Sequence, residues 1–357
     1  MSYEAGNQKL PLPRGLDRLK PRAGGSARPL SLSKSSAWGL LNSVGPCLGL
    51  ILVIGLFSLS PTVRPFFLTG PNFKIILTQT VIVAIGTLGM TLVIVSAGID
   101  LSVGSVVALA SVVGALFLQK GHSVWLASAM SIGVGVLIGF INGVVIGWLR
   151  MMPFIVTLGM MGVGRGLAKW LSDNQTINVP DSALNNVMDL RDPTRLFPLP
   201  QGVWIALALA LLMAIVMRNT VFGRYLFAIG SNEAAARLCG IRVRLQKVVI
   251  YTVAGLFFGL AGLMQLSRLT QGDPTVAIGL ELDIIAAVVI GGASLSGGVG
   301  TIWGSLVGAL TMAVLRNGSN QMGWPTYMQE IIIGVVIIIA VGLDRLRQRG
   351  MRLSGNP

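Results

Sequence analysis

The chain has 357 residues, 53% of them hydrophobic and only 11% charged, with a mean hydropathy of +0.76. A soluble domain carries about 25% charged residues, so the composition excludes a soluble globular fold and points to a polytopic membrane protein. The formal net charge of +14 falls in a few loops between apolar runs; membrane topology accounts for it, and a nucleic-acid partner is not expected.

Residues 1–37 carry Lys9, Arg14, Arg18, Lys20, Arg22, Arg28 and Lys34 among scattered Pro and Gly. No apolar stretch follows the first basic residues, so this is not a signal peptide. A disordered, basic cytoplasmic tail that fixes orientation is expected. Residues 38–343 form the membrane domain, and 344–357 a second cytoplasmic tail.

Ten apolar segments follow, centred on 40–60, 74–96, 103–119, 124–148, 154–171, 202–217, 246–267, 283–293, 300–316 and 328–343. They imply an all-α polytopic membrane helix bundle of about ten transmembrane helices, since a span needs to cross about 30 Å of hydrocarbon. The eighth is short and ends in glycine. With the N-terminus inside, ten crossings place Arg345, Arg347, Arg349 and Arg352 inside, together with the loop carrying Arg218, Arg224, Arg237, Arg242, Arg244 and Lys247. The polar loop at 172–201 then falls outside, where its Asp173, Asp181, Asp189 and Asp192 outnumber Arg191 and Arg195. Both arrangements obey the positive-inside rule.

The stretch Ser96-Ala-Gly-Ile-Asp-Leu-Ser-Val-Gly-Ser105 breaks an apolar run. Asp100 or Ser102 can cap the helix that follows. A carboxylate near hydrocarbon is also a functional candidate by default, so Asp100 and Ser102 are candidates for the translocation path. Asn142 and Gln79 join them: each could hydrogen-bond a polar solute or tie two helices together. Gly133, Gly135, Gly139 and Gly143 recur at spacings that let helices approach closely.

Phe222 to Lys247 is a polar island between long apolar segments. At its centre a short helix is expected, capped by Ser231 or Asn232. Glu233 lies in the first turn, where the helix dipole favours a carboxylate, and Arg237 follows at i+4. Ala234, Ala235 and Ala236 are strong helix formers. Gly240 supplies the left-handed C′ residue. Such a helix is too short to stand alone; the alanines leave a flat face, and Leu238 and Ile241 offer apolar anchors.

An internal echo suggests two related halves. Gly98-Ile-Asp-Leu-Ser-Val-Gly104 resembles Gly292-Ala-Ser-Leu-Ser-Gly-Gly298, Ser111–Leu116 resembles Ser305–Leu310, and Ile141-Asn-Gly143 resembles Arg316-Asn-Gly318. Parallel and inverted repeats both build transporters, and the spacing leaves both open.

No catalytic constellation appears. The single histidine is His122, and the two cysteines, Cys47 and Cys239, fall in an apolar helix and in the polar island, so a disulfide is not expected. Gly162–Gly166 and Gly297–Gly300 are glycine-rich, but no Gly-x-x-x-x-Gly-Lys-Ser/Thr phosphate loop is present.

Several of these motifs together resemble the ribose-type sugar permeases of bacterial ABC importers. They are the polar island (Gly223, Arg224, Ala228, Ile229, Gly230, Asn232, Ala235, Ala236, Arg237, Gly240, Ile241), "GIDLSVG" at 98–104, Gly139–Gly143 through Pro153–Gly159, Gly291–Gly300 and Leu315–Gly318. The resemblance covers about residues 45–343. It implies that loop 218–247 is the coupling loop, with Gly223, Arg224, Asn232, Glu233, Ala234, Ala235, Arg237 and Gly240 docking into a cytoplasmic ABC ATPase. The chain would have no cofactor of its own, because ATP and Mg2+ would be bound by that ATPase. A periplasmic sugar-binding protein would deliver a monosaccharide, docking on loop 172–201 and on the segment from Arg268 to Asp283. Two permease copies, as a homodimer or a pair, would form the path across the bacterial inner membrane. The rivals are a permease for a branched-chain amino acid or a signalling sugar, an ion-coupled secondary transporter relying on Asp100 as its deep acid, and a membrane-embedded enzyme.

Overall fold

Long apolar stretches ended by Gly, Asp and Ser set the architecture of the chain, whose computed structural model describes residues 33–190 and 199–354. The tail at 1–32 and the pair Arg191 and Arg195 lie outside the described residues. In chain order the helices are α1 (Ser33–Ser58), α2 (Arg64–Phe67), α3 (Gly70–Val95), α4 (Val103–Gln119), α5 (Val124–Trp148), α6 (Pro153–Leu171), α7 (Asn185–Met188), α8 (Gln201–Asn219), α9 (Val221–Ser231), α10 (Glu233–Leu238), α11 (Val243–Leu269), α12 (Leu280–Ile290), α13 (Ile302–Gln321) and α14 (Thr326–Ser354). The strands among the described residues are β1 (Ile177–Asn178) and β2 (Gln271–Gly272), paired antiparallel with Ile177 opposite Gly272.

The protein is an all-α polytopic membrane bundle. Four helices, α3, α5, α8 and α11, are individually long and apolar enough to cross a membrane. Large apolar side chains are exposed on these and other helices: Trp125 on α5, Leu211 on α8, Leu52 on α1, and Ile331 and Ile338 on α14. In water such exposure would be a liability; in hydrocarbon it carries no cost.

The middle of the bundle is α3 and α11. From Val81 to Ser96 every residue of α3 is buried. Helix α11 packs against α3, α4 and α5. Its contact with α5 runs along a glycine stripe. A β-carbon on Gly135 would fall 2.6 Å from Gly259 Cα, one on Gly143 2.7 Å from Val248 Cα, and one on Gly147 2.7 Å from the Arg244 carbonyl oxygen. The backbones touch, as small residues allow. The expected stripe is corrected at one end, for Gly133 faces open space while Gly147 completes the series.

Two breaks interrupt the helices. Between α3 and α4, Ala97 turns left-handed at φ 62°, and after α12 Gly292 does so at φ 90°. Each preceding helix closes with the same pair of bonds: Ala97 N–H to Ile94 and Gly98 N–H to Val93, then Gly292 N–H to Val289 and Ala293 N–H to Val288. The two halves of the first echo are therefore the same kind of helix ending, offset by one residue from the sequence match. The second echo does not keep its register, because Ser111 sits nine residues past the N-cap Ser102 and Ser305 only four past the N-cap Thr301.

Helix α12 has 11 residues, about 17 Å at 1.5 Å per residue, and cannot cross about 30 Å alone. It begins three residues earlier than its apolar run suggests and stops before the Gly291–Gly292 pair. The segment leading into it, 270–279, is irregular apart from the strand β2 and packs beside the start of α4, where a β-carbon on Gly104 would lie 2.6 Å from the Ala277 carbonyl oxygen. Arg165 of α6 donates to the Pro274 oxygen at 2.8 Å and to the Val276 oxygen at 2.6 Å. Irregular backbone in a membrane protein is tolerated where protein groups satisfy it, and Arg165 satisfies two of these carbonyls.

Candidate functional site

At one end of α11, the polar island folds into two helices rather than one. Thr220 caps α9, its hydroxyl accepting from Gly223 N–H at 3.3 Å. Gly223 is buried where a β-carbon would lie 2.8 Å from Met217 Cα. Gly230 packs against Val95 and Gly298, and Gly298 N–H donates to the Val95 oxygen at 2.8 Å. Helix α9 is thereby seated on the end of α3 and on the glycine-rich break after α12.

Helix α10 follows with only Asn232 between. Asn232, not Ser231, is its cap: Oδ1 accepts from Ala235 N–H at 2.9 Å, while Ser231 ends α9. The C-terminal end is a full Schellman motif. Gly240 takes φ 84°, Gly240 N–H donates to Arg237, and Ile241 N–H donates to Ala236. Ala236 is the one buried residue of the helix and packs with Ile229 and Val243. Leu238 is 89% exposed, so it does not anchor α10 to its own chain as its apolar character suggests. Ala234, Ala235, Arg237 and Gly240 are exposed with it, and Arg224 is exposed on α9.

Glu233 ties this end together. Its Oε1 accepts from Arg237 Nη2 at 2.8 Å and its Oε2 from Lys247 Nζ at 2.7 Å. Partial burial pushes its carboxyl upward, but the bonds and charges of Lys247 and Arg237 outweigh burial and hold it below the usual glutamate value. The i+4 partner was visible in the sequence; Lys247, fourteen residues on, was not.

Asp100, Ser102 and Asn142 form a second, buried cluster. Asp100 Oδ1 accepts from Ser102 N–H at 2.8 Å and from Ser102 Oγ at 2.6 Å. Asn142 Nδ2 donates to Ser102 Oγ at 3.2 Å. Ser102 holds the N-cap position of α4, but neither its side chain nor that of Asp100 makes a capping bond to the first turn. Ser102 is itself in the right-handed helical region, and its hydroxyl is spent on Asp100. Asp100 instead closes an Asx turn that shapes the break. The Tyr251 hydroxyl and Asn142 Oδ1 are buried nearby without a hydrogen-bond partner.

The largest difference from the expected site lies toward the other end of α11. A cavity of about 300 Å3 opens among α3, α11, α12 and α13, lined by Gln79, Gln265, Arg268, Asp283, Arg316 and Asn320 together with apolar side chains. Asp283 is 2% exposed and pairs with Arg316, whose Nε and Nη2 lie 2.7 and 2.6 Å from the same oxygen, Oδ2. Asp283 Oδ1 has no partner. A second cavity of about 580 Å3 shares Gln79 and Arg268 with the first and reaches Asp181, Asn185 and Asp189 in the 172–201 loop. Of the four path candidates, Gln79 lines these cavities; Asp100, Ser102 and Asn142 line neither. Asp283 is buried in an ion pair, so it is no part of an outer docking surface, and Asp100 is not the only deep acid. Arg316, the partner of Asp283, is 33 residues from it, a separation at which sequence carries no pairing signal.

A bundle with broken helices, a polar cavity between them and an exposed, fully capped helix at one end defines a multi-pass membrane transport component. The family described as "Branched-chain amino acid transport system / permease component" matches residues 72–341, and the chain belongs to it. Among its relatives, the ribose import permease protein RbsC of Escherichia coli (strain K12) is 40% identical over 299 residues, 84% of this chain and 93% of that protein. The L-arabinose ABC transporter permease protein AraH of Azospirillum brasilense is 34% identical over 320 residues, 90% of this chain and 92% of that protein. The fructose import permease protein FrcC of Rhizobium meliloti is 36% identical over 303 residues, 83% of this chain and 84% of that protein. No solved structure matches the chain.

Proposed function

We propose that the chain is the membrane-spanning subunit of an ATP-driven ABC importer carrying a monosaccharide of the ribose type across the bacterial inner membrane. The α10 end faces the cytoplasm and docks a separate ATPase that binds ATP and Mg2+. A periplasmic sugar-binding protein docks at the opposite end, and two permease copies form the path.

One observation carries the reading. Helix α10 has six residues, is capped at both ends and clasped by Glu233, yet turns Leu238 and two alanines away from its own chain. A helix so short is not held by propensity, and a rigid apolar knob on a cationic surface is suited to a protein partner. Its seat supports force transmission, since α9 touches both breaks through Gly230, Val95, Gly297 and Gly298. The named cargoes of the relatives support a sugar.

Copurification tests the docking. The wild-type chain should retain its cognate ATPase through affinity purification, and Leu238→Asp should lose most of it. Equal retention by both would remove the ATPase from this surface. The family's description favours one second reading, a branched-chain amino acid as cargo; leucine offered beside the sugars in uptake assays separates the two.

A further inference from the structure

We infer that the cavity around Asp283 and Arg316 is the permease's own sugar subsite, the place where the cargo pauses after leaving its binding protein. The inference rests on the proposed function and adds the site to it. Three observations converge. The cavity, about 300 Å3, matches the lower end of the ~300–1,000 Å3 range of small-molecule pockets. Two of its polar lining residues are left without a protein partner: Gln79, half-buried, and Gln265, 9% exposed, make no hydrogen bond to any described residue, while Arg268 stands exposed at the rim. The geometry of the ion pair is also unfinished, because Arg316 sends two donors to Oδ2 and leaves the buried Oδ1 unpaired. Unpaired buried polar groups are costly unless something completes them.

The chemistry that completes this set is a compact polyol. Each sugar hydroxyl both donates and accepts, so it can bridge the Gln79 or Gln265 amide to the Arg316 fork, or donate to Asp283 once the side chain turns. An apolar cargo would leave these groups unmet. The larger cavity at the 172–201 loop shares Gln79 and Arg268 with this one, which puts the two side by side on the route the proposal requires. One wall of the site is the break-and-helix unit at 270–290, through Ala277, Ile278, Leu280 and Asp283, so movement of α12 would change its lining.

The test uses the complete importer in liposomes, with ATPase, binding protein and ATP, offered labelled D-ribose, L-arabinose and D-fructose separately. Gln79→Ala and Gln265→Ala should each lower the maximal uptake rate of the imported sugar about tenfold, the loss expected for one good hydrogen bond. Gln79→Asn and Gln265→Asn should recover part of it. A direct readout is Gln79→Cys, made with Cys47→Ser and Cys239→Ser, labelled by a soluble maleimide. Labelling should slow during turnover with an imported sugar and not with one that is refused. Uptake within twofold of wild type in both alanine variants, or labelling indifferent to the sugar, would overturn the site while leaving the importer standing. Wild-type importer that moves none of the three sugars would overturn the monosaccharide reading and the site together.

Discussion

Lys247 Nζ lies 2.7 Å from Glu233 Oε2, joining the six-residue α10 to the first turns of the 27-residue α11. The same carboxylate holds Arg237. Helix α11 lines the cavity with Gln265 and Arg268, 18 and 21 residues beyond Lys247, about 27 and 32 Å at 1.5 Å per residue.

This linkage predicts uncoupling. Glu233→Arg replaces the shared acid with a third positive charge beside Arg237 and Lys247. Gly240→Arg places a side chain at φ 84°, where only glycine is unstrained. Both variants should insert and accumulate in the membrane, but uptake should fall at least about tenfold while the ATPase still hydrolyses ATP. Asn232→Ala should act in the same direction and more weakly, since losing a cap costs about 1 kcal/mol. Full uptake in all three would detach α10 from transport.

A pH dependence follows from Glu233. Its folded pKa lies below the ordinary 4.5, so the unfolded α10 binds protons more readily than the clasped one. The clasp is therefore at full strength above pH 4.5 and weakens as the pH falls below it through the folded value. Amide hydrogen exchange across residues 233–241 should show protection that declines on acidification in the wild type, and a lower, flatter profile in Glu233→Gln. Identical profiles would show that the clasp contributes nothing.

The glycine stripe predicts a contrast within a single helix. Gly143→Val forces a side chain into Val248 and should cost about 1–3 kcal/mol or more, as overpacking does. Gly133→Val meets open space and should be near neutral. Thermal unfolding in detergent separates them; equal midpoints would mean that α5 and α11 do not touch as described.

For the ion pair, removing one partner strands a charge. Asp283 is buried while Arg316 is one-third exposed, so Asp283→Ala should lose toward the lower end of the ~3–5 kcal/mol typical of broken buried pairs. The double variant Asp283→Asn with Arg316→Gln should recover much of that. If the double variant is no more stable than Asp283→Ala, the two side chains are not energetically coupled.

Much of the fold was legible because membrane helices announce themselves by length and apolarity. Helices α4 and α5 begin and end where the apolar runs do, since Asp100, Ser102, Gly121 and Ser123 punctuate them. The alanine run, with a polar cap before it and Gly240 after it, was enough to place α10. Helix α9 stayed hidden, because Arg224 and Tyr225 make an amphipathic surface helix look like loop. The end of α12 was misplaced because Gly291 and Gly292 score as apolar, while Gly292 adopts φ 90° and stops the helix. The cavity was least legible of all. Gln79, Gln265, Asp283 and Arg316 come from four helices, and only the fold brings them together. Asp100 stood out because its motif is compact, but it stabilises a turn.

The energy source tests the central claim most directly. The purified chain alone, in liposomes under an imposed proton or sodium gradient, should concentrate no sugar. Adding the cognate ATPase, the binding protein and ATP should start uptake of D-ribose or a related monosaccharide. Gradient-driven accumulation by the single chain, abolished by Asp100→Asn or Asp283→Asn, would contradict the account and make the protein an ion-coupled transporter.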